Sequence, residues 1–196
     1  MRLLPCFSVA AAAGLALALG AGCGGGAPTP ALAYERLAAA VTARDARSLF
    51  DALDLDTRWS WMSVQRAHRE SYDIVLSNFP EGHERERVLR RFEPGAQSES
   101  AGDLFARELE PGAWEKLAAA LAALGTAPRF SEEGITARTV GAPVLEFRKA
   151  PDHRWGWGYA GMAQGAEAVK RRALADLDLM RSSAAEYERA ATRAAR

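Results

Sequence analysis

Residues 135–159 read ITARTVGAPVLEFRKAPDHRWGWGY, and this stretch decides the fold class. Ile135 to Val140 alternates apolar and polar, Gly141 and Ala142 mark a turn, and Val144 to Arg148 alternates again. Pro151, Asp152 and His153 form a second turn before Arg154 to Tyr159. A period of two residues between Gly/Pro turn signals is the pattern of a half-buried antiparallel sheet. The expectation is a three-stranded meander.

Outward from the meander, the period is that of a helix. On the C-terminal side, Met162, Ala166, Val169, Ala173, Leu177, Met180, Ala184, Tyr187 and Ala191 step by three or four. They form one stripe of a long helix, whose roughly 30 residues would span about 45 Å. Either its end projects or pairs with a partner, or the helix crosses the sheet and frays.

On the N-terminal side, helices are expected from Ala31 to Arg44 and after Asp45, an N-cap candidate. Asp56 or Thr57 is suited to cap the next helix, Arg58 to Phe79. In that segment Trp61, Val64, His68, Tyr72, Val75 and Phe79 fall within about 80° of one another at ~100° per residue. Glu84 to Phe92 forms another helix, with Pro94 and Gly95 as its stop. Ser100 and Asp103 have the spacing of a capping box. Pro111 and Gly112 open a helix from Trp114 to Leu124, and Gly125 closes it. The class is therefore α+β: a helical N-terminal half, the meander, then a long C-terminal helix.

The first 30 residues have a different character. Arg2 is followed by Leu3 to Leu19, apolar except for Ser8, and then by Gly20, Ala21, Gly22 and Cys23. A positive start, an apolar run and small residues make a secretory signal. A transmembrane anchor is the competing reading; against it, Gly24, Gly25, Gly26 and Pro28 end the run without a basic stop-transfer cluster.

The segment Leu19-Gly20-Ala21-Gly22-Cys23 resembles a bacterial lipobox. That resemblance implies cleavage before Cys23 and acylation of Cys23, so that membrane lipid holds the chain in the bacterial cell envelope. In the usual pattern Leu stands three residues before the Cys; here that place is Gly20, and an ordinary signal-peptidase cut near Ala21 is the alternative. Gly24 follows the Cys where the enteric inner-membrane signal has Asp, which implies the outer membrane, facing the periplasm or the surface. The organisation is a signal peptide 1–22, a lipidated Gly/Pro tether 23–30, and one domain 31–196.

Composition excludes some functions. The 25 Lys and Arg balance 25 Asp and Glu, and losing Arg2 with the signal leaves one acid in excess. No basic footprint for nucleic acid follows. Both cysteines, Cys6 and Cys23, lie in the first 23 residues, so the body has neither a disulfide nor a Cys zinc site. His83-Glu84-Arg85-Glu86 lacks the second His of HExxH. Asp51, Asp54 and Asp56 lack the Gly and closing Glu of an EF-hand loop and suit helix capping. No phosphate loop, GxSxG elbow, catalytic set, metal site or cofactor is assigned.

Candidate contacts for a ligand or an envelope protein partner are His68, Trp59, Trp155, Trp157 and Tyr159. His68 lies on the apolar stripe with no acid on its face, so it is either a pocket base or a core histidine. Trp155, Trp157 and Tyr159 share one strand face, either a stacking platform or the core side of the sheet. Trp59 lies about 200° round the helix from Trp61, so both cannot enter one core. The first functional reading is a non-enzymatic, partner- or ligand-binding envelope lipoprotein. The alternative rests on a resemblance of helices followed by a curved sheet to the NTF2-like cone fold, which implies a pocketed enzyme or small-ligand carrier with His68 in the cavity.

Overall fold

The computed structural model describes residues 26–110, 112–158 and 160–196, the side chains of residues 160–163 excepted. Cys23, Pro111 and Tyr159 lie outside the described residues. The described chain has seven helices and a four-stranded antiparallel sheet. The helices are α1 (Pro30–Ala43), α2 (Ala46–Ala52), α3 (Leu55–Asn78), α4 (His83–Ala96), α5 (Ala101–Glu108), α6 (Ala113–Leu124) and α7 (Ala160–Ala194). The strands are β1 (Phe130–Glu133), β2 (Thr136–Thr139), β3 (Glu146–Lys149) and β4 (Trp155–Trp157), in that order across the sheet.

The expected meander is thus extended by one strand. Phe130-Ser131-Glu132-Glu133 carries only one apolar residue, so no alternation betrays it; pairing of Phe130 with Thr139 and Glu133 with Thr136 makes it a strand. Its side chains are largely exposed, as suits an edge.

Local chemistry explains the helix ends. Asp45 accepts from Arg47 N at 3.0 Å, and the capping box of Ser100 and Asp103 is formed. For α3 the cap is Asp54, earlier than Asp56 or Thr57: its carboxylate accepts from Thr57 N at 3.0 Å and Thr57 Oγ1 at 2.8 Å. Pro94 and Gly95 do not stop α4, which runs on to Ala96. Beyond them Ser98 Oγ donates to Pro94 O at 2.7 Å, and Ser98 O accepts from Gln65 Nε2 at 2.8 Å, stitching the end of α4 to α3.

Residues 26–30, expected to be flexible tether, belong to the body. Ala27 is fully buried and exchanges two backbone hydrogen bonds with Trp155, at 2.8 and 2.7 Å. Asp54 N donates to Trp157 O at 2.9 Å. The outer edge of β4 is therefore covered by two other chain segments, which removes an open sheet edge.

The inner face of the sheet enters the main core. Phe147, Trp155, Trp157 and Ala137 pack with Leu37, Leu49 and Leu53. Tyr34, Phe130 and Phe147 form a triangle of edge-on rings with centroids 5.8–6.5 Å apart. Tyr34 Oη donates to Gly125 O at 2.5 Å and so fixes the end of α6.

The 35-residue α7 does not cross the sheet. It runs parallel to α3, as the pairs Ser60–Glu167, Glu70–Arg181 and Phe79–Tyr187 show. A second small core of Val75, Phe79, Phe92 and Met180 joins α3, α4 and α7 at the far end. Residues 188–196 are all exposed, so the end of α7 projects.

Candidate functional site

The residues proposed from sequence separate into three environments. Trp155 and Trp157 are each 3% exposed and belong to the core. Of the two readings of this strand, the core side holds and the stacking platform does not, and the residue between the two tryptophans shows why. Gly156 lies so close to the α2–α3 junction that a Cβ there would sit 2.4 Å from Leu53 O. The backbone of α2–α3 closes one face of β4, and the main core closes the other. Tyr159, the third member of the ladder, lies outside the described residues.

His68 is half-buried between α3 and α4. Its ring meets Phe92 edge-on at 5.8 Å, and a Cβ on Gly95 would fall 2.2 Å from His68 Nδ1. Gly95 is thus the contact that lets α4 approach α3, and not a helix stop. His68 Nδ1 is buried without a hydrogen-bond partner, as is Ser71 Oγ one turn on. Burial holds the imidazole below its ordinary value, with Arg91 adding to the effect and Asp176 and Glu108 opposing it. None of the clefts described below contains His68, and Trp61 turns away onto Phe105, ring to ring at 5.7 Å.

Trp59 stands on the outer face of α3 and is 57% exposed. Met62, one turn on, is 53% exposed beside it. The sequence reading missed Met62, although its i+3 spacing from Trp59 was a usable signal. Together they make an apolar ridge on an otherwise polar helix face.

An open cleft flanks the ridge on each side. One, of about 500 Å³, lies between the start of α3 and α7 and is lined by Asp56, Trp59, Ser60, Arg148, Lys170 and Arg171, among others. The other, of about 1080 Å³, runs from Trp59 and Met62 to the start of α5, past Arg47, Arg66, Ser100 and Asp103. Trp59 and Lys170 line both clefts.

Some of the charges of the clefts are paired. Lys170 Nζ lies 2.9 Å from Glu167 Oε2 and holds that carboxyl below its usual range. Arg47 lies 2.9 Å from Asp103 and, with Ser100, does the same there. These carboxylates are ionised partners of cations, and no buried base faces a nucleophile in either cleft. Among the described residues, no group of three or more His, Cys, Asp or Glu is placed to hold a metal. The arrangement can bind by apolar contact and exchangeable surface charge, with a ridge rather than a reaction chamber at its centre.

No protein family matches the chain, and no curated protein or solved structure is similar to it. The likeness to the NTF2-like cone fold gains no support from these comparisons. The inner face of the sheet is filled by the Tyr34–Phe130–Phe147 rings.

Proposed function

We propose that this chain is a cell-envelope lipoprotein, held to the membrane by acylated Cys23, whose domain binds a protein partner or ligand across Trp59. The observation that carries the binding reading is the exposed Trp59–Met62 ridge between two clefts. Trp, Met and Arg are enriched at protein interfaces, and Trp and Arg among their hot spots. The ridge lacks an internal base or metal set, so the activity proposed is recognition, without a chemical step.

The alternative, an enzyme or carrier with His68 in a cavity, has the weaker support. The His68 ring packs against Gly95 and Phe92, where a substrate would have to displace α4.

A photo-crosslinking residue at position 59, compared with the same residue at Leu179, tests the binding reading in intact cells. Leu179 is 54% exposed on α7 and serves as a matched surface position. A discrete adduct from position 59 that is absent from 179 is expected. The same adducts from both positions, or none from either, would overturn the proposal. The anchor is tested separately by the mass of the N-terminal peptide from the membrane fraction, expected to begin at Cys23 and to carry two or three acyl chains.

A further inference from the structure

The backbone ties one end of the sheet to the point where the chain enters the domain. Thr136 pairs with Arg148, and Lys149 N donates to Ile135 O at 2.7 Å, which sets Ile135 opposite Lys149. Lys149 pairs with Trp155, and Trp155 with Ala27. Ile135, Lys149, Trp155 and Ala27 therefore form one transverse row, about 14 Å wide at ~4.8 Å per strand.

Two cations hold the entry point. Arg36 donates to Gly26 O, and Arg154 Nη1 donates to the same oxygen at 3.4 Å. Lys149 Nζ lies over the Trp155 ring, 5.7 Å from its centroid. At the far end of the row Ile135 is 67% exposed, the most exposed large apolar side chain of the described residues. His153, at the adjoining hairpin tip, is exposed as well, and lines a shallow cleft with Ile135 and Lys149. Asp152 beside it is turned back, accepting from Arg154 N at 3.1 Å.

Resting on the lipoprotein reading above, we infer that this end of the sheet is a membrane-contact surface. Ile135 reaches the headgroup boundary, while Arg36, Lys149 and Arg154 meet anionic lipid headgroups. The chain length argues for it. Cys23 and Gly26 are three peptide steps apart, at most about 11 Å at 3.8 Å per step. Acyl chains on Cys23 set that residue at the bilayer surface, so Gly26 cannot leave the headgroup layer by more than this, and the row that starts beside it brings Ile135 to the same layer when this end of the sheet lies along the bilayer. An exposed isoleucine with cations along its row is a side-chain pattern suited to such a boundary, and the two acids that share its cleft, Asp54 and Asp56, lie towards the start of α3 and not along the row.

The test uses the acylated full chain in vesicles of phosphatidylglycerol and phosphatidylethanolamine. With the signal removed and Cys23 acylated, the remaining chain has no free cysteine, so Ile135→Cys and Val140→Cys each accept one environment-sensitive fluorophore. Val140 is 49% exposed at the opposite end of β2 and is the control. The label at 135 is expected to shift to shorter wavelength and to be quenched several-fold more by lipid-borne than by aqueous quencher, with the reverse at 140. His153→Cys offers a second position on the same end should the label at 135 disturb the hairpin. Equal access of aqueous quencher to 135, 153 and 140 in a chain whose Cys23 acylation is verified by mass would overturn the inference. Absence of acylation would instead overturn the lipoprotein reading on which it rests, and the two failures are read from different measurements.

Discussion

His68 and Gly95 decide whether α4 can close on α3. A methyl at Gly95 meets the His68 side chain at Nδ1 and Cγ of the ring and at Cβ, all within 2.7 Å, and rotating the ring does not move Cβ aside. Gly95→Ala is expected to lower stability by about 1–3 kcal/mol by overpacking, despite the ~1 kcal/mol that alanine gains in a helix. His68→Ala in the same chain should recover part of that loss, and denaturant unfolding of the four combinations measures the coupling. His68 also fixes a pH dependence. Because burial depresses its folded-state value, the unfolded chain takes up the proton first on acidification. The stability that this supplies is complete above about pH 6.5 and is lost as pH falls towards the lower folded value. Unfolding free energies of wild type and His68→Leu, compared between about pH 7 and pH 5, should show a shallower slope for the variant. Parallel slopes would mean that other groups carry the dependence. Trp59 predicts the opposite kind of behaviour: Trp59→Ala should change stability by no more than ~0.5 kcal/mol, since the side chain is mostly in water, while abolishing the adduct formed from a photo-crosslinking residue at the neighbouring position 62.

Among the elements, α7 and β4 carry the clearest consequences. α7 contributes Ala166, Ala173, Leu177 and Met180 to the two cores, and Tyr187 closes the second by packing edge-on to Phe79 at 4.8 Å. Nothing after Tyr187 is buried. Removing residues 189–196 should leave the melting temperature within a few degrees, whereas ending the chain before Tyr187 uncovers Phe79 and should cost about 2–4 kcal/mol. Thermal unfolding followed by circular dichroism separates the two; an equal loss from both truncations would show that the projecting turn is structural. In β4 the sequence Trp-Gly-Trp works because its alternate residues meet different demands. The tryptophans fill the core, and Gly156 admits the backbone of Leu53 and Asp54. Gly156→Ala places a carbon against backbone, which cannot yield as a side chain can. Its expected effect is loss of the folded protein, seen as insolubility or a collapsed unfolding transition.

The whole molecule joins the Trp59–Met62 ridge on α3 to β4 through the main core. Leu53 and Asp54 link the two directly, since they bond β4 and cap the helix that carries Trp59. The ridge is thereby carried by a helix tied to the sheet rather than by a loop. Under the reading proposed above, acylation of Cys23 is what holds the domain at the bilayer. Cys23→Ser should accordingly abolish acylation of the chain, read by the mass of its N-terminal peptide, without altering the unfolding of the domain. Acyl chains that persist on the protein after this substitution would reject Cys23 as the anchor.

By itself the sequence determined what depends on neighbours in the chain. Periodicity set the helices, Asp45 and the Ser100–Asp103 box set their starts, and the Gly and Pro turns framed three of the four strands. It also placed Trp59 and Trp61 on different sides of one helix, which the structure bears out. Tertiary structure decided what depends on contacts distant in the chain. β1 is a strand because β2 offers it partners, although its own side chains are mostly polar. Residues 26–30 are body rather than tether because Trp155 supplies both a donor and an acceptor to Ala27. Gly95 and Gly156 are sites of close approach, and a glycine in a sequence carries no mark of what will press against it. The same holds for the aromatic strand. Its alternation was legible from local spacing, but its burial follows from two other segments folding over it.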